Sequence, residues 1–223
     1  MMVRKTKATP AEAQPAEPEA AAAPEPHPEP APARATRGPR RAVRPSPAAL
    51  PEALAERLER AEALAEAGSA AEAADAFTAV LAMSPDHVRA LLGLGAALAA
   101  QGRYEAAEKE QRKALRLAPD AAEVHHQLGL TLFKRAVYAA AVAELRRAVE
   151  LDPELPGPYL VLGEALNQLA ESDAAIEALE EALRMQPENA RAYYALGIAF
   201  DRKGNPDRAA EMYRLSREVA AAK

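Results

Sequence analysis

The residues of this chain that could do chemistry are few, and their spacing does not match a catalytic or metal-binding pattern. His125 and His126 follow Glu123 closely, and imidazole and carboxylate are donor groups that zinc accepts. Adjacent residues on a helix point about 100° apart, so the two imidazoles cannot easily share one ion. None of the five serines has a histidine and a carboxylate at plausible spacing, and there is neither a cysteine nor a phosphate-binding glycine-rich loop. The sequence therefore predicts no catalytic residue, no metal site and no cofactor, and so a protein that is not an enzyme.

The N-terminal residues and the apolar runs give no sign of membrane targeting. Residues 1–7 are charged and have no apolar segment behind them, and the longest uncharged apolar run, residues 90–100, is too short to cross a bilayer. We therefore expect a cytoplasmic protein, and its alanine- and arginine-rich composition is typical of a GC-rich bacterial genome.

Residues 1–47 differ from the rest of the chain in composition. They hold 11 of the 19 prolines and no aromatic residue, so they cannot bury enough apolar surface to offset the entropy of ordering. We predict a disordered Pro/Ala-rich tail that also carries a basic run, Arg34, Arg37, Arg40, Arg41 and Arg44. Such a run is typically a solvated linker, and the alternatives are docking on an acidic protein surface or contact with nucleic acid or an anionic membrane.

From residue 48 onward the chain repeats itself every 34 residues. Prolines recur at Pro85, Pro119, Pro153 and Pro187, and a repeat of this length is typical of a stacked helical hairpin. Within the array at residues 48–223, the predicted units are 54–87, 88–121, 122–155, 156–189 and 190–223.

Each unit also repeats the residues that a helical hairpin needs. The first helix carries a large residue, a Leu-Gly pair and another large residue on one face, as in Leu91, Leu94-Gly95 and Leu98. The second helix carries small residues where two helices approach closely, as at Ala107. The pattern closely resembles the tetratricopeptide repeat family, which implies an all-α, right-handed solenoid of about five antiparallel helical hairpins. The first unit diverges, with Arg57, Arg60 and Ala61 at the large and Leu-Gly positions, and we expect it to cap the array.

The resemblance implies that the first helices line a concave wall where ligands bind. The residues predicted to line this groove are Arg89, Leu92, Ala96, His126, Leu130, Phe133, Lys134, Leu160, Glu164, Asn167, Arg191, Tyr194, Ile198 and Asp201. Their pattern is an apolar strip with charges toward its edges, which suits a partner helix or a hydrophobic peptide. The alternative is that neighbouring first helices bury these side chains against each other.

The interpretation favoured by these patterns is a non-catalytic adaptor that binds a protein or peptide partner in the groove. Relatives that hold a terminal carboxylate use Lys or Asn pairs at positions where this chain has Leu92 and Ala96 in its second unit, so that kind of clamp is not expected. The ligand should be held by apolar contacts, with Arg89, Lys134 and Arg191 favouring acidic flanks. A second interpretation is a self-assembling scaffold that oligomerises through its tail or terminal hairpins. The third is nucleic-acid or membrane contact through the basic run.

Overall fold

The computed structural model describes residues 49–222, and all of their regular secondary structure is α-helical. The ten helices of this range are α1 (Ala49–Glu66), α2 (Ala70–Met83), α3 (Val88–Ala100), α4 (Tyr104–Leu117), α5 (Ala122–Lys134), α6 (Tyr138–Leu151), α7 (Pro156–Gln168), α8 (Ser172–Met185), α9 (Ala190–Arg202) and α10 (Pro206–Ala221). Consecutive helices pack as five antiparallel hairpins. The prediction of an all-α solenoid is confirmed, while the predicted tail and its basic run lie outside the described residues.

Tight turns join the two helices of each hairpin. In three of them the turn residue is a glycine with positive φ, namely Gly68, Gly102 and Gly204. In the third and fourth hairpins the same position is held by Ala136 and Ala170, each with φ of 60°. The turn therefore requires a left-handed residue in all five hairpins, whichever side chain is present.

In four of the five hairpins the two helices approach closely because the first presents a glycine and the second an alanine, and the first hairpin has Ala61 in place of the glycine. A Cβ placed on Gly163 would lie 2.4 Å from Leu179 Cγ, and one placed on Gly129 would lie 2.6 Å from Leu145 Cγ. The neighbouring Ala141 and Ala175 have no exposed surface. Larger side chains at these positions would separate the helices and open the core.

The stack curves because its first helices lie closer together than its second helices. Each first helix contacts the first helix of the next hairpin, from α1 through α3, α5 and α7 to α9, whereas successive second helices make no such contact within residues 49–222. The odd-numbered helices therefore line the inner, concave side.

Candidate functional site

The predicted groove residues lie on the four helices α3, α5, α7 and α9. Tyr194 is the most open of the large apolar ones, with 56% of its surface exposed. The charged residues Arg89, Lys134, Arg191 and Asp201 are also exposed, as is Ala96. The half-buried residues are Leu92, His126, Leu130, Phe133, Leu160, Glu164 and Ile198. These side chains leave part of their surface open on the concave side.

Asn167 is the exception among the predicted groove residues. It is only 3% exposed, and its Nδ2 donates a hydrogen bond of 2.8 Å to the backbone oxygen of Ala195. The side chain thus links α7 to α9 and is not available to a ligand. Its sequence position is correct for the inner wall, but a short amide at this place satisfies the neighbouring backbone first.

Two ion pairs cross between first helices, one toward each end of the groove. Arg89 Nη2 lies 2.7 Å from Glu62 Oε1 and 2.9 Å from Glu62 Oε2, which links α3 to α1. Arg191 binds both carboxylate oxygens of Glu164 and links α9 to α7. In both pairs the glutamate precedes the arginine by 27 residues. The two arginines that were expected to favour acidic ligand flanks are therefore already bound to carboxylates, although both guanidinium groups stay largely exposed.

The middle of the groove lacks these ion pairs. At the equivalent positions, the step from α3 to α5 has Ala96 and Glu123, and the step from α5 to α7 has Leu130 and Gly157. Small and apolar residues thus replace the arginine–glutamate links in the central section. A hollow of about 530 Å³ opens beside it, lined by Glu62, Ala65, Glu66, Phe77, Arg89, Leu92, Gly93, Ala96, Glu123 and Gln127.

His126 takes part in packing between hairpins. A Cβ on Gly157 would lie 2.5 Å from the His126 Cε1 atom, so the glycine makes room for the imidazole between α5 and α7. His126 Nδ1 lies 3.7 Å from the Glu123 carboxylate. The imidazole lowers the pKa of that carboxyl more than its partial burial raises it, and a 2.7 Å hydrogen bond from Gln127 lowers it further.

The neighbouring His125 points elsewhere. Its Nδ1 lies 2.7 Å from Glu144 Oε2, and its Nε2 lies 2.9 Å from the backbone oxygen of Pro119, so the ring is fixed between hairpins. The two histidines therefore have separate surroundings. Among the described residues no group of three or more potential ligands is arranged to hold a metal ion.

Residues of α1 also line the groove, which the repeat pattern did not predict. Glu62, Ala65 and Glu66 line the hollow of about 530 Å³, which lies toward the α1 end of the groove, although the first unit lacks the Leu-Gly signature and was expected to cap the array. The signal was present in the spacing, because Glu62 stands 27 residues before Arg89 as Glu164 stands before Arg191.

In residues 49–222, no helix has the length and apolar character needed to cross a membrane.

Comparison with known proteins gives consistent results over this helical region. A family model described as a tetratricopeptide repeat matches residues 58–122 and 160–222, and a second model of that description matches residues 122–155. These matches cover well over half of the chain. No curated protein matches it.

The solved structures that resemble the chain have the same fold. One crystal structure of MamA is 29% identical with a TM-score of 0.64, and the match covers 73% of this chain and 95% of that one. Another MamA structure is 28% identical with a TM-score of 0.65, covering 76% and 92%. YrrB, described as a TPR protein with an unusual peptide-binding site, is 23% identical with a TM-score of 0.62, covering 77% and 92%.

Proposed function

Because this chain belongs to the tetratricopeptide repeat family, we propose that it is a non-catalytic interaction scaffold that binds a partner helix or peptide in its concave groove. The observation that carries the proposal is the central section between the two ion pairs. There Leu92, Ala96 and Leu130 leave apolar surface on an open wall, with a hollow large enough for side chains of a ligand beside them.

Internal packing accounts for only part of this apolar surface. Leu92, Leu130, Phe133 and Leu160 all pack against buried clusters, so each contributes to the core. The Phe133 ring also lies 5.7 Å from the Tyr138 ring. All four nevertheless stay only partly buried, and the more exposed Tyr194 lies on the same wall. A surface of this kind is typical of a protein-binding groove.

The charges around the central section favour a ligand bound mainly by apolar contact. Arg89 and Arg191 are engaged by Glu62 and Glu164, so an acidic flank of the ligand would have to compete with a carboxylate that is already in place. Lys134 has no ion-pair partner among the described residues and is the groove cation that a ligand carboxylate could bind directly.

An Ala96→Glu substitution tests this proposal with little effect on the fold. Ala96 is exposed in the middle of the groove, and glutamate is a good helix former, so we expect unchanged helicity. A bound apolar ligand would bury the new carboxylate without a partner, so affinity should fall by about thirtyfold or more. The partner is first identified by a photo-crosslinking residue at position 96, and its dissociation constant is then measured for both proteins.

The matched control is Ala143→Glu, at another exposed alanine, which lies on α6, a second helix of the array. Crosslinking from position 143 should not yield the partner, and Ala143→Glu should bind it as the parent does. Equal affinity of the Ala96→Glu and Ala143→Glu proteins would contradict binding in the groove.

A further inference from the structure

A second groove lies at the outer side of the first hairpin, between α1 and α2, away from the concave wall. We call it the end groove. It encloses about 580 Å³ and is lined by Arg57, Arg60, Leu64, Glu72, Asp75, Ala76 and Ala79. Its floor is apolar, its α1 wall carries two arginines, and its α2 wall carries two carboxylates.

The fourth hairpin shows what this kind of groove contains. A corresponding groove lies between α7 and α8. Each end-groove residue has its counterpart there 102 positions, or three repeats, later in the sequence. These counterparts are Tyr159, Leu162, Leu166, Ala174, Glu177, Ala178 and Glu181. One further residue lines this groove, Arg146 of α6, the second helix of the preceding hairpin. With α6 in place the open volume is only about 230 Å³. The shape that fits the end groove is therefore an α-helix.

Among residues 49–222 no helix precedes α1 to fill the end groove. By the repeat period, the counterpart of α6 would be residues 36–49, which carry Arg37, Arg40, Arg41 and Arg44 and no acidic residue. These charges do not complement Arg57 and Arg60. A helix of a partner protein can supply the acidic side chains that this segment lacks.

The orientation of that helix follows from the interfaces inside the array. Arg135 at the end of α5 pairs with Glu105 and Glu108 near the start of α4, while His125 near the start of α5 bonds to the oxygen of Pro119, just after α4. The covering helix therefore runs antiparallel to the first helix that it covers. In the end groove its C-terminal half lies over Arg57 and Arg60.

The charges of the end groove define the partner more closely. Where α7 has Tyr159 and Leu162, α1 has two arginines, so the covering helix needs acidic side chains on that side. On the other side of the groove between α7 and α8, Arg146 of the covering helix lies beside Glu177 and 3.6 Å from Glu171. In the end groove, Glu72 and Asp75 provide similar carboxylates on α2. We propose that the end groove binds an amphipathic helix of a partner protein, with acidic residues facing Arg57 and Arg60 and basic residues facing Glu72 and Asp75.

A second copy of this chain fits the end groove poorly. Continuing the array from one copy to the next would seat α10 there, with Arg214 at the position of Arg146 and Arg217 at the position of Val149. In the antiparallel arrangement Arg217 would approach Arg57. Two guanidinium groups placed close together repel each other and oppose association, so the end groove favours a different protein.

Binding of two designed peptides to the full-length protein tests the proposal. The first probe has the sequence of α6, residues 138–151, with Val149→Glu, and is held helical by a lactam between positions 143 and 147, which are both exposed in α6. The second probe carries Val149→Arg instead. In fluorescence anisotropy we expect the acidic probe to bind about fivefold more tightly than the basic one, as an ion pair of modest strength allows.

A charge reversal locates the binding. In R57E/R60E the preference should invert, so that the basic probe binds more tightly, whereas R103E/R116E, with the same change in charge at the two ends of α4, should keep the original preference. Circular dichroism of each variant verifies that the array is folded. Failure of both probes to bind the parent protein, or an unchanged preference in R57E/R60E, overturns the proposal. A dimer in analytical ultracentrifugation that R57E/R60E abolishes would also overturn it, because a second copy would then occupy the end groove.

Discussion

At the scale of single residues, Gln111 is the residue least suited to its place. It has no exposed surface, and neither Nε2 nor Oε1 has a hydrogen-bond partner among the described residues. The equivalent residues of the next two hairpins are Leu145 and Leu179, and both pack against the glycine of the first helix, as Gln111 does against Gly95. A buried amide without a partner costs about 1–3 kcal/mol of stability.

We therefore expect Gln111→Leu to raise the free energy of unfolding by about 1–3 kcal/mol, because leucine fills a similar volume without a desolvation cost. Urea denaturation followed by circular dichroism measures the change. The reciprocal Leu145→Gln should lower stability in the third hairpin by a comparable amount. A less stable Gln111→Leu protein would show that the amide is satisfied in solution.

The ion pairs and hydrogen bonds between groove side chains are the part of the site that the sequence did not predict. The period places Arg89 and Arg191 on the inner wall, and both lie there. Whether they are free depends on Glu62 and Glu164 in the preceding hairpin, and hence on the rotation between hairpins, which a one-dimensional pattern does not contain. Asn167 was misplaced among the accessible residues for the same reason.

At the scale of structural elements, the turn within each hairpin sets a backbone requirement that two hairpins meet at a cost. Ala136 and Ala170 adopt φ of 60°, whereas Gly68, Gly102 and Gly204 adopt 75° to 78° at the same place. A left-handed conformation costs a residue with a Cβ about 1–2 kcal/mol. Glycine avoids this strain but loses more backbone entropy on folding.

The strain should exceed the entropy term, so Ala136→Gly and Ala170→Gly are each expected to raise the free energy of unfolding by about 0.5–1 kcal/mol. The reverse change, Gly102→Ala, should lower it by a similar amount. A Cβ on Gly102 would meet nothing within 4 Å, so this control isolates backbone strain from packing. Thermal unfolding of the three variants measures the gain in stability expected for the two glycine substitutions and the loss expected for Gly102→Ala. A loss of stability in Ala136→Gly would show that backbone strain does not exceed the entropy term.

The elements themselves could be predicted from the sequence to a large extent. Helix α3 begins at Val88 and α5 at Ala122, one repeat apart, because a proline in each preceding turn stops the earlier helix and the apolar spacing of 3.6 residues starts again after it. The end groove could not be predicted in this way. It becomes visible only when the surroundings of α1 and α7 are compared in three dimensions.

At the scale of the whole molecule, the fully buried apolar residues form three clusters, which are linked only by the partly buried Leu81 and Leu115. One buried cluster joins helices α1 to α4, from Leu58 to Ala107, and a larger one joins α5 to α10, from Leu128 to Ala209. Only a small cluster of Leu91, Ala114 and Val124 lies between them. In a linear stack each hairpin is stabilised by its neighbours alone, so we expect the junction between α4 and α5 to divide the array into two cooperative parts.

Hydrogen exchange measured by mass spectrometry should reveal this division. We expect amides of α1 to α4 to exchange as one group and faster than those of α5 to α8, because the smaller cluster stabilises fewer helices and α4 carries the buried, unpartnered Gln111. Gln111→Leu should slow exchange in α3 and α4, and so reduce the difference in exchange rate between the amides of α1 to α4 and those of α5 to α8. Leu145→Gln should instead speed exchange in α5 and α6. Uniform protection from α1 to α8, unchanged by Gln111→Leu, would mean that the two clusters unfold as one unit and that the α4–α5 junction is as strong as the others.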